Sequence, residues 1–188
     1  MASVFYGCHF TRVGAFTAAQ KIKAHHYLHT MPAGILACYA MCKDDSMHPV
    51  AVCVFSNGRI QFKGRYVELS RMWVDDEYGA NAESEFMGHC LRAVGRLYKD
   101  HLGVISYSDP HRGHTGTIYK AANFVLDGES RAVRMRRDLR TRRMVPPRSV
   151  KKGHAYAQKS DLRPAKKRWV YYFDASVREQ LRRGMKNT

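Results

Sequence analysis

The chain has 188 residues, of which 45% are hydrophobic, so it is long enough for one domain with a buried core and is not intrinsically disordered. Its net charge is +16, with 19 of the 32 lysines and arginines but only 4 of the 16 acidic residues between Arg131 and Thr188, which indicates a polyanionic partner. Five scattered cysteines without a CxxC pair, and the lack of a signal peptide or of a membrane span of roughly 20 apolar residues, predict a soluble cytoplasmic protein.

Apolar periodicity predicts alternating helices and strands. The predicted elements, in chain order, are a helix at 17–29, strands at 34–42, 50–58 and 64–74, a helix at 82–101, a strand at 104–108, a short helix within 115–124, and a final strand and helix at 168–174 and 175–185. This order is typical of an α/β protein with a single mixed sheet flanked by helices.

Residues 128–167 lack this periodicity and are rich in Arg, Lys, Pro and Gly. We therefore predict three parts: a core over 1–127, a basic appendage over 128–168, and a C-terminal strand and short helix over 169–188 that pack on the core. The appendage is nearly all positive, whereas a merely solvated surface usually mixes signs. It predicts binding to nucleic-acid phosphates, through Arg136, Arg137, Arg140, Arg142, Arg143, Lys151 and Lys152.

The stretch VISYSDPHRGHTGTIYKAANF predicts a strand, a polar turn and a helix. Loops that join rigid elements often carry binding and catalytic residues. Asp109 directly follows the strand and Tyr119 lies in the next helix, so the two side chains are candidates for an acid/base pair. The alternative for Tyr119 is a core tyrosine with a hydrogen-bonded hydroxyl.

Three other features are candidates for a site. His25 and His29 are one turn apart on the predicted helix and are candidate metal ligands, although helix-end histidines are more often surface residues. Arg71 lies in a strand suited to burial, so it either pairs with a carboxylate such as Glu68 or Asp109 or extends into a cleft. Residues 81–84 begin a helix, and Asn and Ser there are either an anion site or ordinary caps.

Four separated blocks carry a resemblance to a known family. They are AHHYLHTMPAG, VELSRMWVDDEYGANAESEFMGHCLRA, VISYSDPHRGHTGTIYKAANF and KKRWVYYFDASVREQL. In this order they resemble the phage Mom-like DNA modification proteins, from His25 to about Leu181. The resemblance implies a fold similar to the GCN5-related N-acetyltransferases, with YGANAES in place of their glycine-rich pyrophosphate loop.

The resemblance also implies an activity, which is the attachment of a carbamoylmethyl-type group to the exocyclic amine of adenine in phage DNA, protecting it from host restriction. The family's functional positions fall on His26, Tyr27, Arg71, Ser84, Asp109 and Tyr119. Asn81, Glu83 and Tyr107 are expected to support substrate binding. In this interpretation Asp109 or His26 is the base, Arg71 stabilises developing negative charge, and Tyr119 protonates a leaving group.

The expected partner is double-stranded DNA with a flipped adenine, in the cytoplasm of an infected bacterial host, and without a membrane. The group donor is either of the acyl-coenzyme A type or a small glycine-derived molecule. A requirement for an iron or zinc ion and assembly as a homodimer are both left open. Two other functions remain as alternatives. The first is an acetyltransferase of similar fold acting on a protein, a small amine or RNA, and the second is a non-catalytic protein that shields DNA.

Overall fold

The computed structural model describes residues 3–58, 62, 64–142, 144–147, 150 and 152–186, with side chains as far as Leu181 in the last helix. The strands are β1 (Cys8–Val13), β2 (Ile35–Lys43), β3 (Pro49–Asn57), β4 (Tyr66–Val74), β5 (Gly103–Ser108), β6 (Val125–Glu129), β7 (Val133–Asp138), β8 (Met144–Val145), β9 (Tyr156–Arg163) and β10 (Lys167–Tyr172). The helices are α1 (Ala15–His25), α2 (Ala82–Leu97), α3 (Thr117–Ala121) and α4 (Ala175–Lys186). Within these residues, no helix is both long enough and apolar enough to span a membrane.

Seven of the strands form one mixed sheet in the order β1-β2-β3-β4-β5-β10-β6. Neighbouring strands are antiparallel except β4 and β5, which run parallel. The C-terminal strand β10 lies inside the sheet and carries the buried Trp169 and Val170. The expected α/β architecture, a single mixed sheet flanked by helices, is confirmed.

The central strands are buried on both faces, which explains why β2 and β3 read as continuous apolar runs. On one face, Phe55 and Val67 pack with Phe86 and Met87 of α2. On the other face, Val52 and Val54 pack with Ile22 of α1. We call these the α2 face and the α1 face.

Strands β4 and β5 are paired through their backbones only at their beginnings, where Tyr66–Glu68 lies beside Gly103–Ile105. At the next position the two strands are linked by a side chain instead of by backbone pairing. Ser106 Oγ donates a hydrogen bond to the Leu69 carbonyl at 2.9 Å. Both strands then continue without pairing to each other. The separation leaves a gap at the carboxyl ends of two parallel strands, where α/β sheets commonly bind ligands.

A β-bulge lies in β4 at this separation. Val54 of β3 is opposite Arg71 and Phe55 is opposite Leu69, so Ser70 is one residue in excess. In such a bulge two successive side chains oppose one residue of the partner strand. Ser70 and Arg71 therefore both lie on the α1 face, together with Val54.

The N-terminal part of the chain differs from the prediction in two respects. Strand β1 pairs with β2 from Cys8↔Lys43 to Val13↔Cys38, although no strand was predicted there. Helix α1 ends at His25, four residues earlier than predicted, and His26 has an extended backbone with ψ 135°. His29 has φ 49°, which is incompatible with a continuing helix.

The basic segment is also more ordered than its composition indicated. Strands β7, β8 and β9 form a second, three-stranded sheet in the order β8-β7-β9, which we call the basic sheet. Buried Asp138 holds the turn that follows β7, because its carboxylate accepts hydrogen bonds from Arg140 N and Thr141 N and pairs with His154 Nδ1 at 3.0 Å. Two of the predicted phosphate contacts, Arg143 and Lys151, lie outside the described residues.

We predict that Gly116→Ala destabilises the fold much more than Gly113→Ala, and the two glycines form a matched pair in one turn. Both have positive φ, +89° and +76°, so alanine costs about 1–2 kcal/mol at either position. Only at Gly116 would the new Cβ meet a buried ring, 2.1 Å from Trp169 Cζ2. We expect an additional loss of about 1–3 kcal/mol there, measured by urea unfolding. Equal losses at the two positions would contradict this packing.

Candidate active site between the separated strands

A cavity of about 510 Å³ lies where β4 and β5 separate. Its walls combine the end of α1 and the residues after it, β4 from Leu69 to Val74, the beginning of the helix α2, β5 and the turn that leads into α3. The volume is within the usual range for small-molecule sites. Of the nine residues predicted for catalysis or substrate binding, the cavity brings six together, namely His26, Tyr27, Arg71, Glu83, Tyr107 and Tyr119.

Arg71 supplies a positive charge to this cavity. Its Nε donates to the Thr30 carbonyl at 2.8 Å and its Nη1 to the Ser70 carbonyl at 2.6 Å. Among the described residues no carboxylate lies within ion-pair distance of the guanidinium, so of the two alternatives for Arg71 the structure favours the cleft. Burial lowers the pKa of Arg71 below its ordinary value, as expected for a cation removed from water.

His26 is a neutral imidazole at the same wall. Its pKa is lowered to about 4, first because the ring is partly buried and then because it faces the positive charge of Arg71, with smaller contributions from His114, His29 and Lys166. The Leu28 backbone N–H donates to His26 Nδ1 at 3.1 Å. A neutral ring accepts on one nitrogen and donates a hydrogen bond from the other.

Tyr27 adds an aromatic wall. Its ring stacks on His26 with centroids 4.5 Å apart, and His114 meets it edge-on at 5.2 Å. The guanidinium of Arg112 lies 5.8 Å from the centre of the same ring. The residues after α1 and the turn after β5 are therefore in contact across the mouth of the gap.

Tyr119 forms the opposite wall. Its hydroxyl lies 2.9 Å from Ser106 Oγ, and its ring stacks on Trp169 with centroids 5.7 Å apart. Burial raises the pKa of Tyr119 to about 12, so the hydroxyl keeps its proton at neutral pH. Because the single proton of Ser106 serves the Leu69 carbonyl, Tyr119 donates to Ser106. The core alternative for Tyr119 and the functional interpretation are both compatible with this geometry.

Asp109 is not among the residues that line the cavity. Its Oδ2 lies 3.0 Å from Lys166 Nζ, with side chains only 14% and 18% exposed, and its Oδ1 accepts the His111 backbone N–H. Burial, the largest single effect, opposes ionisation of Asp109, but the hydrogen bond and charge of Lys166 together with the backbone N–H of His111 outweigh it, and the pKa of the carboxyl is lowered. Asp109 therefore links the turn after β5 to the residue that precedes β10.

Of the three site residues predicted at the beginning of α2, only Glu83 lines the cavity. Asn81 precedes the helix with φ 70°, and its side chain makes no capping hydrogen bond. Ser84 Oγ donates to the Asn81 carbonyl at 2.9 Å. Ser84 and Asn81 thus stabilise the beginning of α2 locally and lie outside the cavity wall.

The predicted metal pair His25 and His29 is not formed, because the helix ends between them. His25 stacks on Trp73 with centroids 4.6 Å apart, and His29 Nδ1 donates to the Lys23 carbonyl at 2.9 Å. Nowhere in the described part of the chain do three His, Cys, Asp or Glu side chains come together as a metal site.

Three residues near the cavity were missed in the sequence. Ser70 lies on the wall, with its Oγ 2.6 Å from Ser56 Oγ and 3.3 Å from Glu68 Oε1. Ser106 joins β4 to Tyr119, and Lys166 holds Asp109. The available signal was a serine inside each of two apolar strand patterns, since a buried hydroxyl needs a partner.

Solved acetyltransferases share this architecture. The ribosomal-protein-S5-alanine acetyltransferase from Vibrio fischeri matches with a TM-score of 0.54 at 10% identity, over 90% of this chain and 94% of that one. The spermidine/spermine N-acetyltransferase from Vibrio cholerae matches with a TM-score of 0.55 at 7% identity, over 94% and 99%. A GNAT family acetyltransferase from Elizabethkingia anophelis, solved with acetyl-CoA bound, gives 0.52 at 6% identity, over 89% and 99%. The expected fold, similar to the GCN5-related N-acetyltransferases, is confirmed.

Sequence comparison is more specific than the fold. A methylcarbamoylase, mom, from Escherichia phage Mu is 36% identical over 63 residues, which are 34% of this chain and 26% of that protein. The match thus spans about a quarter of that relative's length. The model of the Mom protein family matches residues 8–188, which include every strand and helix described above. The chain belongs to the Mom protein family.

Proposed function

We propose that the chain is a DNA-modifying transferase, which attaches a carbamoylmethyl-type group to the exocyclic amine of adenine in phage DNA and so protects the DNA from restriction. Membership of the Mom protein family and the match to the phage Mu methylcarbamoylase support this activity. The observation that carries the proposal is the cavity at the separation of β4 and β5, which gathers His26, Tyr27, Arg71 and Tyr119 in an acetyltransferase fold.

The chemistry sets three requirements. Adenine's exocyclic amine is a weak nucleophile because its lone pair is delocalised, so the donor must be polarised, a proton must pass from the amine to a base, and the leaving group must be protonated. Arg71 suits the first task, because its charge faces the cavity without a carboxylate partner among the described residues. Tyr119 suits proton donation to a leaving group, because its pKa of about 12 keeps it protonated and its hydroxyl can exchange the hydrogen bond to Ser106 for one to that group.

The target adenine must leave the duplex to reach these groups. Aromatic side chains of the cavity, Tyr27, Trp73, Tyr107 and Tyr119, offer surfaces on which a flipped base can stack. Stacking of this kind is worth about 1–3 kcal/mol per base, which compensates part of the cost of unstacking. The cavity is therefore suited to an extruded base.

The basic sheet is suited to the phosphates. Arg134, Arg136 and Arg137 of β7 are exposed, whereas Met135 between them is buried. Lys166, near its base, pairs with Asp109 beside the cavity, so this sheet joins the main body close to the site. Exposed arginines contact phosphates irrespective of sequence and raise affinity for any duplex.

A separate point is which molecule donates the carbamoylmethyl-type group. One structural neighbour holds acetyl-CoA, which supports a donor of the acyl-coenzyme A type. In an α/β fold a diphosphate is commonly held at a helix N-terminus, but the first turn of α2 carries Glu83 and Glu85. Two carboxylates repel a diphosphate, so this end of the cavity does not fit that part of coenzyme A, and no residue role proposed above depends on it.

We predict that expression in bacteria introduces a modified deoxyadenosine into plasmid DNA, detected by mass spectrometry of the nucleosides. Arg71→Gln should lower the modified fraction roughly 100-fold, the usual cost of removing a group that stabilises transition-state charge. Arg96→Gln, on the exposed surface of α2, is the matched control and should retain it. Unmodified nucleosides from cells that contain soluble wild-type protein would refute the proposed activity. Acetylated protein or small amines instead would favour the alternative acetyltransferase.

We further predict that the basic sheet and the turn after β7 dominate the salt dependence of DNA binding. Each phosphate neutralised contributes about 0.9 to the slope of log affinity against log salt, so replacing four contacts should lower the slope by up to about 3.6. The variant carries alanine at Arg136, Arg137, Arg140 and Arg142, all exposed. The control carries alanine at four exposed cations elsewhere, Lys43, Arg65, Arg92 and Arg96. Equal slopes for the two variants would exclude this surface as the main phosphate contact.

A further inference from the structure

The protonation state of His26 follows from its hydrogen bond. The Leu28 backbone N–H donates to His26 Nδ1, with 3.1 Å between the two nitrogens. A backbone N–H can only donate, so Nδ1 acts as an acceptor and carries no proton. A neutral imidazole then carries its single proton on Nε2. This nitrogen has no hydrogen-bond partner within the part of the chain that the structure describes.

The surrounding loop holds His26 in this tautomer. The His29 backbone N–H donates to the His26 carbonyl at 2.8 Å, and the His29 side chain donates to the Lys23 carbonyl at 2.9 Å. Arg71 Nε, on β4, donates to the Thr30 carbonyl and so attaches the end of this loop to the strand. Proton uptake at Nδ1 would break the bond from Leu28, so His26 is poorly suited to be a base in this conformation.

Arg71 has hydrogen-bond donors to spare beside this ring. Two of its five N–H groups are used on the Thr30 and Ser70 carbonyls, which leaves three without a hydrogen-bond partner among the described residues. His26 and Arg71 line the same cavity. A wall with donors from both side chains suits an oxygen that carries, or develops, negative charge.

We propose that His26 Nε2–H and the free N–H groups of Arg71 together bind the carbonyl oxygen of the group that is transferred. This inference rests on the proposed function and deepens it, because every carbamoylmethyl-type group contains a carbonyl. His26 is then a fixed hydrogen-bond donor and is not the base. Donors held in place before the substrate arrives stabilise charge without a further cost of reorganisation.

The first test compares His26→Gln with His26→Asn. The amide nitrogen of glutamine extends to about the position of Nε2 and donates an N–H, whereas asparagine is too short and corresponds to Nδ1. We expect His26→Gln to retain the modified deoxyadenosine fraction within about tenfold, and His26→Asn to lose roughly 100-fold or more. Thermal melting of each variant separates loss of fold from loss of function. Folded Gln and Asn variants that are equally inactive would overturn the donor role.

The second test concerns the ring itself and requires no DNA modification. Nitrogen-15 spectra of the full-length protein at pH 7 should report a protonated Nε2 and an unprotonated Nδ1 for His26. A protonated Nδ1 would overturn the inference even if plasmid DNA is modified. Conversely, unmodified DNA with the expected tautomer would refute the proposed function and leave the assignment of His26 intact.

The pH dependence of stability is a third, independent prediction. The groups that face His26 are Arg71 from β4, His114 from the turn after β5, His29 from its own loop and Lys166 from before β10. The folded-state pKa of about 4 lies below the ordinary 6.5, so the unfolded chain binds the extra proton in this window. The His26 contribution to stability is therefore complete above about pH 6.5 and falls as the pH decreases towards 4. Urea unfolding should show a steeper fall for wild type than for His26→Gln, and identical curves would overturn the inference that this ring stays neutral.

Discussion

The separation of β4 from β5 is the constraint on which the site depends. Parallel strands normally continue their backbone hydrogen bonds along their length, and here the pairing ends after three residues. The Ser106 hydroxyl, bonded to the Leu69 carbonyl, replaces the next backbone bond and marks the point of separation. The cavity begins directly beyond this point. The same serine hydroxyl also bonds Tyr119, so a single group marks the opening of the sheet and positions one wall of the site.

The bulge at Ser70 determines what the cavity contains. In a regular strand that still contained Ser70, Arg71 would lie on the α2 face, among the apolar side chains that pack on Phe86. With the bulge the guanidinium is held by two backbone carbonyls and has no carboxylate partner in the described residues. A partly buried cation without a counterion costs folding free energy. That cost is understandable in a wall that we propose to bind an electron-rich group, since functional sites often carry such local strain.

The sequence predicted five of the seven strands of the main sheet, but not β1 or β6, because β2, β3 and β5 are apolar runs and α2 has apolar side chains near helical spacing. The resemblance indicated His26, Tyr27, Arg71 and Tyr119, which the cavity brings together. The strands of the basic sheet were not predicted, because the arginines of β7 obscure its alternation of buried and exposed residues, which is visible only at Met135. The pair Asp109–Lys166 joins residues far apart in sequence, and the bulge depends on the register with β3, so neither has a local signal.

The bulge has a consequence for the evolution of this chain. Loss of Ser70 would only remove the bulge and leave Leu69 and Arg71 on their present faces, whereas gain of one residue between Arg71 and Met72, where the strand is regular, would exchange the faces of everything on one side of the change. Met72 would then move from the apolar cluster on the α2 face to the α1 face, where Trp73 now lies. We expect insertions beyond the bulge to disrupt the site more than most single substitutions along β4. In any chain that keeps this cavity, we therefore expect the spacing from Arg71 to Val74 to be fixed, so that Arg71 and Trp73 stay on one face and Met72 and Val74 on the other.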